Sequence, residues 1–129
     1  MSLLELIKGG TGVIKVEERE LTVAFPLSAI AKAEAAIGRD LKDITRWYQL
    51  KWEDELPQVL HAGFAKFHPE ATLEDAANIC ESLTAEGLQE LHRALIRLNF
   101  PKRMQELEAD WERRAAGKTS PNGESGAGR

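Results

Sequence analysis

A mostly helical chain, with a small N-terminal β-hairpin followed by a compact bundle of about five to six helices, is predicted by three features of the sequence. Apolar residues recur at three- and four-residue spacing across 27–115, most cleanly at Leu56, Val59, Leu60, Gly63, Phe64 and Phe67. β-Branched residues concentrate early, in Val13–Val16 and Leu21–Phe25. Helix punctuation at Gly38, Pro57, Pro69, Thr72, Thr84 and Pro101 then divides the rest into short helices.

The elements follow in order. Residues 1–12 read equally as a short strand or a short helix, until Gly9-Gly10-Thr11-Gly12 breaks either. Residues 13–25 form the hairpin. Its turn near Glu17–Glu20 lacks the Gly or Asn that tight hairpin turns favour. Leu27–Ile37 is the first helix, with Gly38 as its left-handed stop. Asp40 is placed to cap a second helix, on which Leu41, Ile44, Trp47 and Tyr48 share a stripe. The third helix carries the 56–67 run and stops before His68-Pro69, because a residue preceding proline avoids the helical region. Thr72-Leu73-Glu74-Asp75 is a capping-box start for the fourth helix, with Leu73, Ala76, Ala77, Cys80 and Leu83 on its inner face. Thr84 caps a fifth helix with a Leu88, Leu91, Leu95, Leu98 seam. Pro101 opens a sixth, striped by Met104, Leu107 and Trp111. The domain therefore spans 1–116, with helices over 27–115. Residues 117–129, rich in Gly, Ser and polar side chains, read as a disordered tail.

A length of 129 residues fits one domain able to bury a core without staples. Net charge is −4, and no segment is both basic and aromatic, which argues against nucleic acid as a partner. The lone Cys80 allows no internal disulfide and suits a reducing compartment. No apolar run reaches membrane-span length, and Glu5 interrupts the N-terminal apolar stretch. The expected location is the cytosol.

Candidate chemistry is sparse. His61, His68 and His92 form no ligand pair, and as surface histidines on helices they predict no metal site. Cys80, on an apolar face, reads as a small hydrophobe. Gly117-Lys118-Thr119 supplies only the end of a phosphate loop, with Glu112 where its first glycine belongs. The carboxylates Glu53-Asp54-Glu55 and Glu74-Asp75 sit at helix starts, where capping accounts for them. No catalytic residue, cofactor or metal is expected. The aromatics remain. Trp47, Tyr48 and Trp52 cluster in one stretch, and Trp111 stands on a helix with few apolar neighbours. Trp and Tyr are enriched at protein interfaces, so these four are the candidate partner-binding residues, with core as the competing role, strongest for Trp47.

Three blocks together resemble the tail assembly chaperones of long-tailed phages and gene transfer agents. The strand Leu21-Thr22-Val23-Ala24-Phe25 leads into a helix with Glu34, Gly38 and Leu41 in the pattern E-x-x-x-G-x-x-L. Val59-Leu60-His61-Ala62-Gly63-Phe64 is similar to the family's apolar helix ending in Ala-Gly-Leu. Pro69–Asp75 is similar to its P-x-x-T-x-E start. The resemblance covers roughly residues 13–100. It implies a non-enzymatic protein of the host cytoplasm that binds the tape measure protein, keeps it soluble until the tail tube polymerises, and is absent from the mature particle. The tail tube protein is a further partner it admits, and self-association stays open. Some members are also made in a longer, frameshifted form, with which Ala116-Gly117-Lys118 is compatible. Competing readings are a phage structural or tail-completion protein and a helical DNA-binding regulator. Against the regulator, Glu86, Gln89 and Glu90 open the helix that would read DNA.

Overall fold

In a computed structural model of the chain, residues 4–8 and 11–118 are described. They form three strands and six helices: β1 Leu4–Lys8, β2 Thr11–Val16, β3 Arg19–Ala24, α1 Leu27–Ile37, α2 Ile44–Tyr48, α3 Glu55–Phe64, α4 Leu73–Glu81, α5 Ala85–Asn99 and α6 Pro101–Lys118. The mostly helical class holds. The open choice at the N-terminus resolves as a strand, so the hairpin grows into a three-stranded antiparallel sheet of order β1-β2-β3.

The sheet has a clear inner face. Ile14 pairs with Leu21 and Gly12 with Val23, and all four are buried. Intervening Lys15 and Glu20 are exposed, as period-two alternation requires of a sheet packed on one side. α3 lies against β3 and also packs on α1 and α4, while α5 meets β1 and α2. α3 is thus the central helix, and Leu56, Val59, Leu60 and Phe64 are its fully buried residues. The closest approach to the sheet is at Gly63, where a Cβ would stand 2.6 Å from Phe25 Cζ and 2.8 Å from Val23 Cγ1.

The Glu34–Gly38–Leu41 motif is a corner clasp. Gly38, at φ 75°, donates its N–H to the Glu34 carbonyl at 2.8 Å. The Glu34 carboxylate accepts the Leu41 N–H at 2.9 Å, and the buried Leu41 accepts the Trp47 indole N–H at 2.8 Å. A second clasp joins Arg39 to Glu55: Nε and Nη2 donate to the two carboxylate oxygens at 3.3 and 2.9 Å. The Arg39 contact holds the Glu55 carboxyl below its usual range, with the Lys51 amide adding to the effect.

Several sequence expectations shift by a turn. Asp43 caps α2, accepting the Arg46 N–H, while Asp40 makes a local turn to the Lys42 N–H. Leu41 therefore precedes the short α2 rather than sharing its stripe. α3 ends at Phe64, which leaves Phe67 outside the helix and 47% exposed. On α4 the inner face is Ala76, Ile79 and Cys80, and Leu73 is exposed. The capping box at Thr72 forms with Asp75: Thr72 Oγ1 accepts the Asp75 N–H and Asp75 Oδ2 accepts the Thr72 N–H. Thr84 caps α5, accepting the Gly87 N–H.

The described residues fall into two compact units divided between Asn99 and Phe100, where the sequence suggests one domain over 1–116. The second unit is α6. It continues through Gly117 and Lys118, two residues into the expected tail, and residues 119–129 lie outside the described residues. Asp110 pairs along this helix with Arg113 and Arg114 at 3.2 and 3.1 Å. No helix among the described residues is long and apolar enough to cross a membrane.

Candidate functional site

The four aromatic candidates take different positions. Trp47 is fully buried, its ring edge-to-face with Phe25 at a centroid distance of 5.4 Å, so it is part of the core. Tyr48 ends α2 and is 38% exposed. Trp52 is half-buried in the loop before α3. Trp111 belongs to the second unit and is 41% exposed.

Trp47 and Trp52 are joined through a residue that sequence reasoning placed on the surface. His92 is buried on α5. Its Nδ1 accepts the Trp52 indole N–H at 3.0 Å, and its Nε2 lies 2.6 Å from the Trp47 carbonyl. A nitrogen that accepts an N–H carries no proton, so the ring proton sits on Nε2 and is donated to the carbonyl. This arrangement satisfies every polar atom of the imidazole and fixes the Trp52 ring, which meets His92 edge-on at 87°. One signal was available: His92 stands one turn after Leu88 and beside Leu91, within the apolar seam of α5. The other histidines are pins as well. His61 Nε2 bonds the Ala71 carbonyl at 3.0 Å. His68, which lies outside any helix, accepts the Thr22 N–H at 2.8 Å on Nε2 and so covers an edge amide of β3.

The pinned Trp52 forms one wall of a surface groove. Pro57 of α3, Ala77 and Cys80 of α4 and Leu88 of α5 supply the rest of its apolar lining, and Glu53 and Glu81 stand at its rim. Its volume of about 240 Å³ suits one large apolar side chain and falls short of the cavities that enclose whole cofactors. The chemistry on offer is burial. Desolvation, aided by the Glu81 charge, pushes the Cys80 thiol up to about 11, leaving little thiolate for nucleophilic work at neutral pH. Among the described residues, no group of three or more His, Cys, Asp or Glu side chains is placed to hold a metal ion.

α5 opens with exposed Glu86 and Glu90, so its start presents carboxylates where a DNA-reading helix presents donors. Comparison with known proteins gives no match for this chain, whether among protein-family models, curated proteins or solved structures.

Proposed function

We propose that this protein is a tail assembly chaperone that binds the tape measure protein in the host cytoplasm and keeps it soluble until the tail tube polymerises. The observation that carries the reading is the groove at Trp52. It is an apolar slot of side-chain size, open at the surface, with a Trp fixed in place by His92. A long helical client exposes apolar side chains at regular spacing. Docking one of them in a preformed slot covers it at low entropic cost. The ordered motifs at Leu21–Leu41, Val59–Phe64 and Pro69–Asp75 support the family assignment. The acidic start of α5 weighs against the DNA-binding alternative.

The test is co-expression with the tape measure reading frame from the same genome. The wild-type chain is expected to hold the client in the soluble fraction and to co-purify with it, while mass spectrometry of finished particles detects the client and not this chain. Two variants separate groove from fold. Trp52→Ala removes the anchor, and Ala77→Glu fills the slot without touching the Trp52–His92 bond. Each is expected to weaken binding by about tenfold or more, the usual loss at an aromatic hot spot. Client solubility that does not depend on the chain would overturn the reading.

A further inference from the structure

His92 is a buried titratable group whose bonding admits a single protonation state. It is 8% exposed and does not line the Trp52 groove, so it acts on the groove through Trp52. The neutral ring serves both of its partners in one tautomer only, with the proton on Nε2 and the lone pair on Nδ1. A second proton changes one bond and keeps the other. Nε2 still donates to the Trp47 carbonyl at 2.6 Å, now as a charged and stronger donor. Nδ1 becomes a donor that faces the Trp52 indole N–H across 3.0 Å. Indole has no acceptor to offer in return, so the contact cannot survive.

Of the two side chains, Trp52 is the one able to yield. His92 is buried on the 15-residue α5 and stays tied to the α2 backbone. Trp52 is half-buried on the loop between α2 and α3. The elements around the imidazole bring charges of both signs. On α5 the residues three and four positions away are Leu88, Gln89, Leu95 and Ile96, all uncharged, and the adjacent charge is Arg93. α2, which packs on α5, carries Arg46 and the Tyr48 phenol, and β1 carries Glu5 and Lys8. Lys51 and Glu53 flank Trp52, and Glu81 of α4 stands across the groove. The hydrogen bonds of the ring itself go to Trp47 and Trp52.

We propose that a proton on His92 releases Trp52, so that the groove keeps its indole wall only while His92 is neutral. His92 is thus a positioning residue with a built-in sensitivity to pH. The consequence for client binding rests on the Trp52 groove being the client site; the release of the indole does not. By linkage, a client seated against the pinned Trp52 opposes protonation of His92 to the same extent that protonation weakens the client.

The test uses the full chain labelled with nitrogen-15. The indole N–H signal of Trp52 is assigned by its loss in Trp52→Phe and is followed from about pH 8 to about pH 5, across the ordinary histidine range. It is expected to move along a one-proton curve, with the midpoint of the His92 ring signals, and to exchange with solvent about tenfold faster at the acid end. The Trp47 indole, which donates to the Leu41 carbonyl, should hold its position. His92→Gln supplies a donor and an acceptor without a titrating group, and there the Trp52 signal should stay constant. The variant retains His61 and His68, so a shift caused by either would survive in it. If it does not fold, the shared midpoint in the wild type still decides. Capture of the co-expressed tape measure protein is expected to weaken about tenfold over the same range, as for loss of an aromatic anchor. A Trp52 signal that keeps its place down to about pH 5 overturns the proposal, as does one that moves on the same curve in His92→Gln. Release of Trp52 with undiminished client capture upholds the switch and overturns the groove as the client site.

Discussion

Gly63 has an account that sequence spacing alone could not give. It sits on the apolar stripe of α3, where any small residue would satisfy the periodicity. The geometry is stricter, because β3 and its following Phe25 come within contact distance of the missing Cβ. Gly63→Ala gains helix propensity of about 1 kcal/mol and loses more through overpacking against Val23 and the Phe25 ring. The expected result is a net loss of about 1–2 kcal/mol in urea unfolding. Phe25→Leu removes the atom that clashes first, so the double variant should lose less than the sum of the single ones. Two of the blocks that carry the family resemblance meet at this contact. Their residue types were legible in the sequence, but the reason for them was not, since it depends on a contact between residues 38 positions apart. His92 teaches the same lesson. Its place in the α5 seam was visible, but its two partners come from a loop and a helix some forty residues away.

Among the elements, strands and helices with strong periodicity were legible, and their ends were less so. β2 and β3 follow from their β-branched residues, whereas β1 was ambiguous because Leu4, Leu6 and Ile7, the apolar residues of a five-residue segment, fit either period. The α2 cap moved from Asp40 to Asp43 because both residues suit the role and only the Glu34–Leu41 clasp decides where the chain turns. The hairpin turn is the element most at odds with its sequence. Val16 pairs with Arg19, leaving Glu17 and Glu18 as a two-residue loop, and Glu17 takes φ 55°. A non-glycine residue in that region is strained by about 1–2 kcal/mol, part of which glycine returns as backbone entropy. Glu17→Gly is therefore expected to stabilise the protein by about 0.5–1 kcal/mol. A thermal melt should show this as a rise of a few degrees. A lower melting temperature would mean that the Glu17 side chain contributes more than its backbone costs.

For the molecule as a whole, the helical class and the order of elements were legible from periodicity and punctuation. The division at Asn99 was not, because Pro101 ends one helix and opens the next without any linker composition. Titration gives the whole chain two stability edges of opposite sign. Glu55 beside Arg39, Asp75 at the Thr72 amide and Asp40 at the Lys42 amide all have carboxyls held below their usual range. An unfolded chain binds protons at these groups first. The stability they supply is thus present above the ordinary carboxylate range and is lost as pH falls through their folded values. Cys80 works at the other end. Its thiol is raised by burial from 9.0 to about 11, so the folded state keeps a proton that the unfolded chain releases. Its contribution is complete below about pH 9 and is lost as pH rises towards about 11, by roughly 2–3 kcal/mol. Urea midpoints measured across both ranges should fall at each end. Glu55→Gln is expected to flatten the acid edge alone, and Cys80→Ala the alkaline edge alone. An alkaline edge that survives in Cys80→Ala would place its origin in another group and remove the buried thiol from the account.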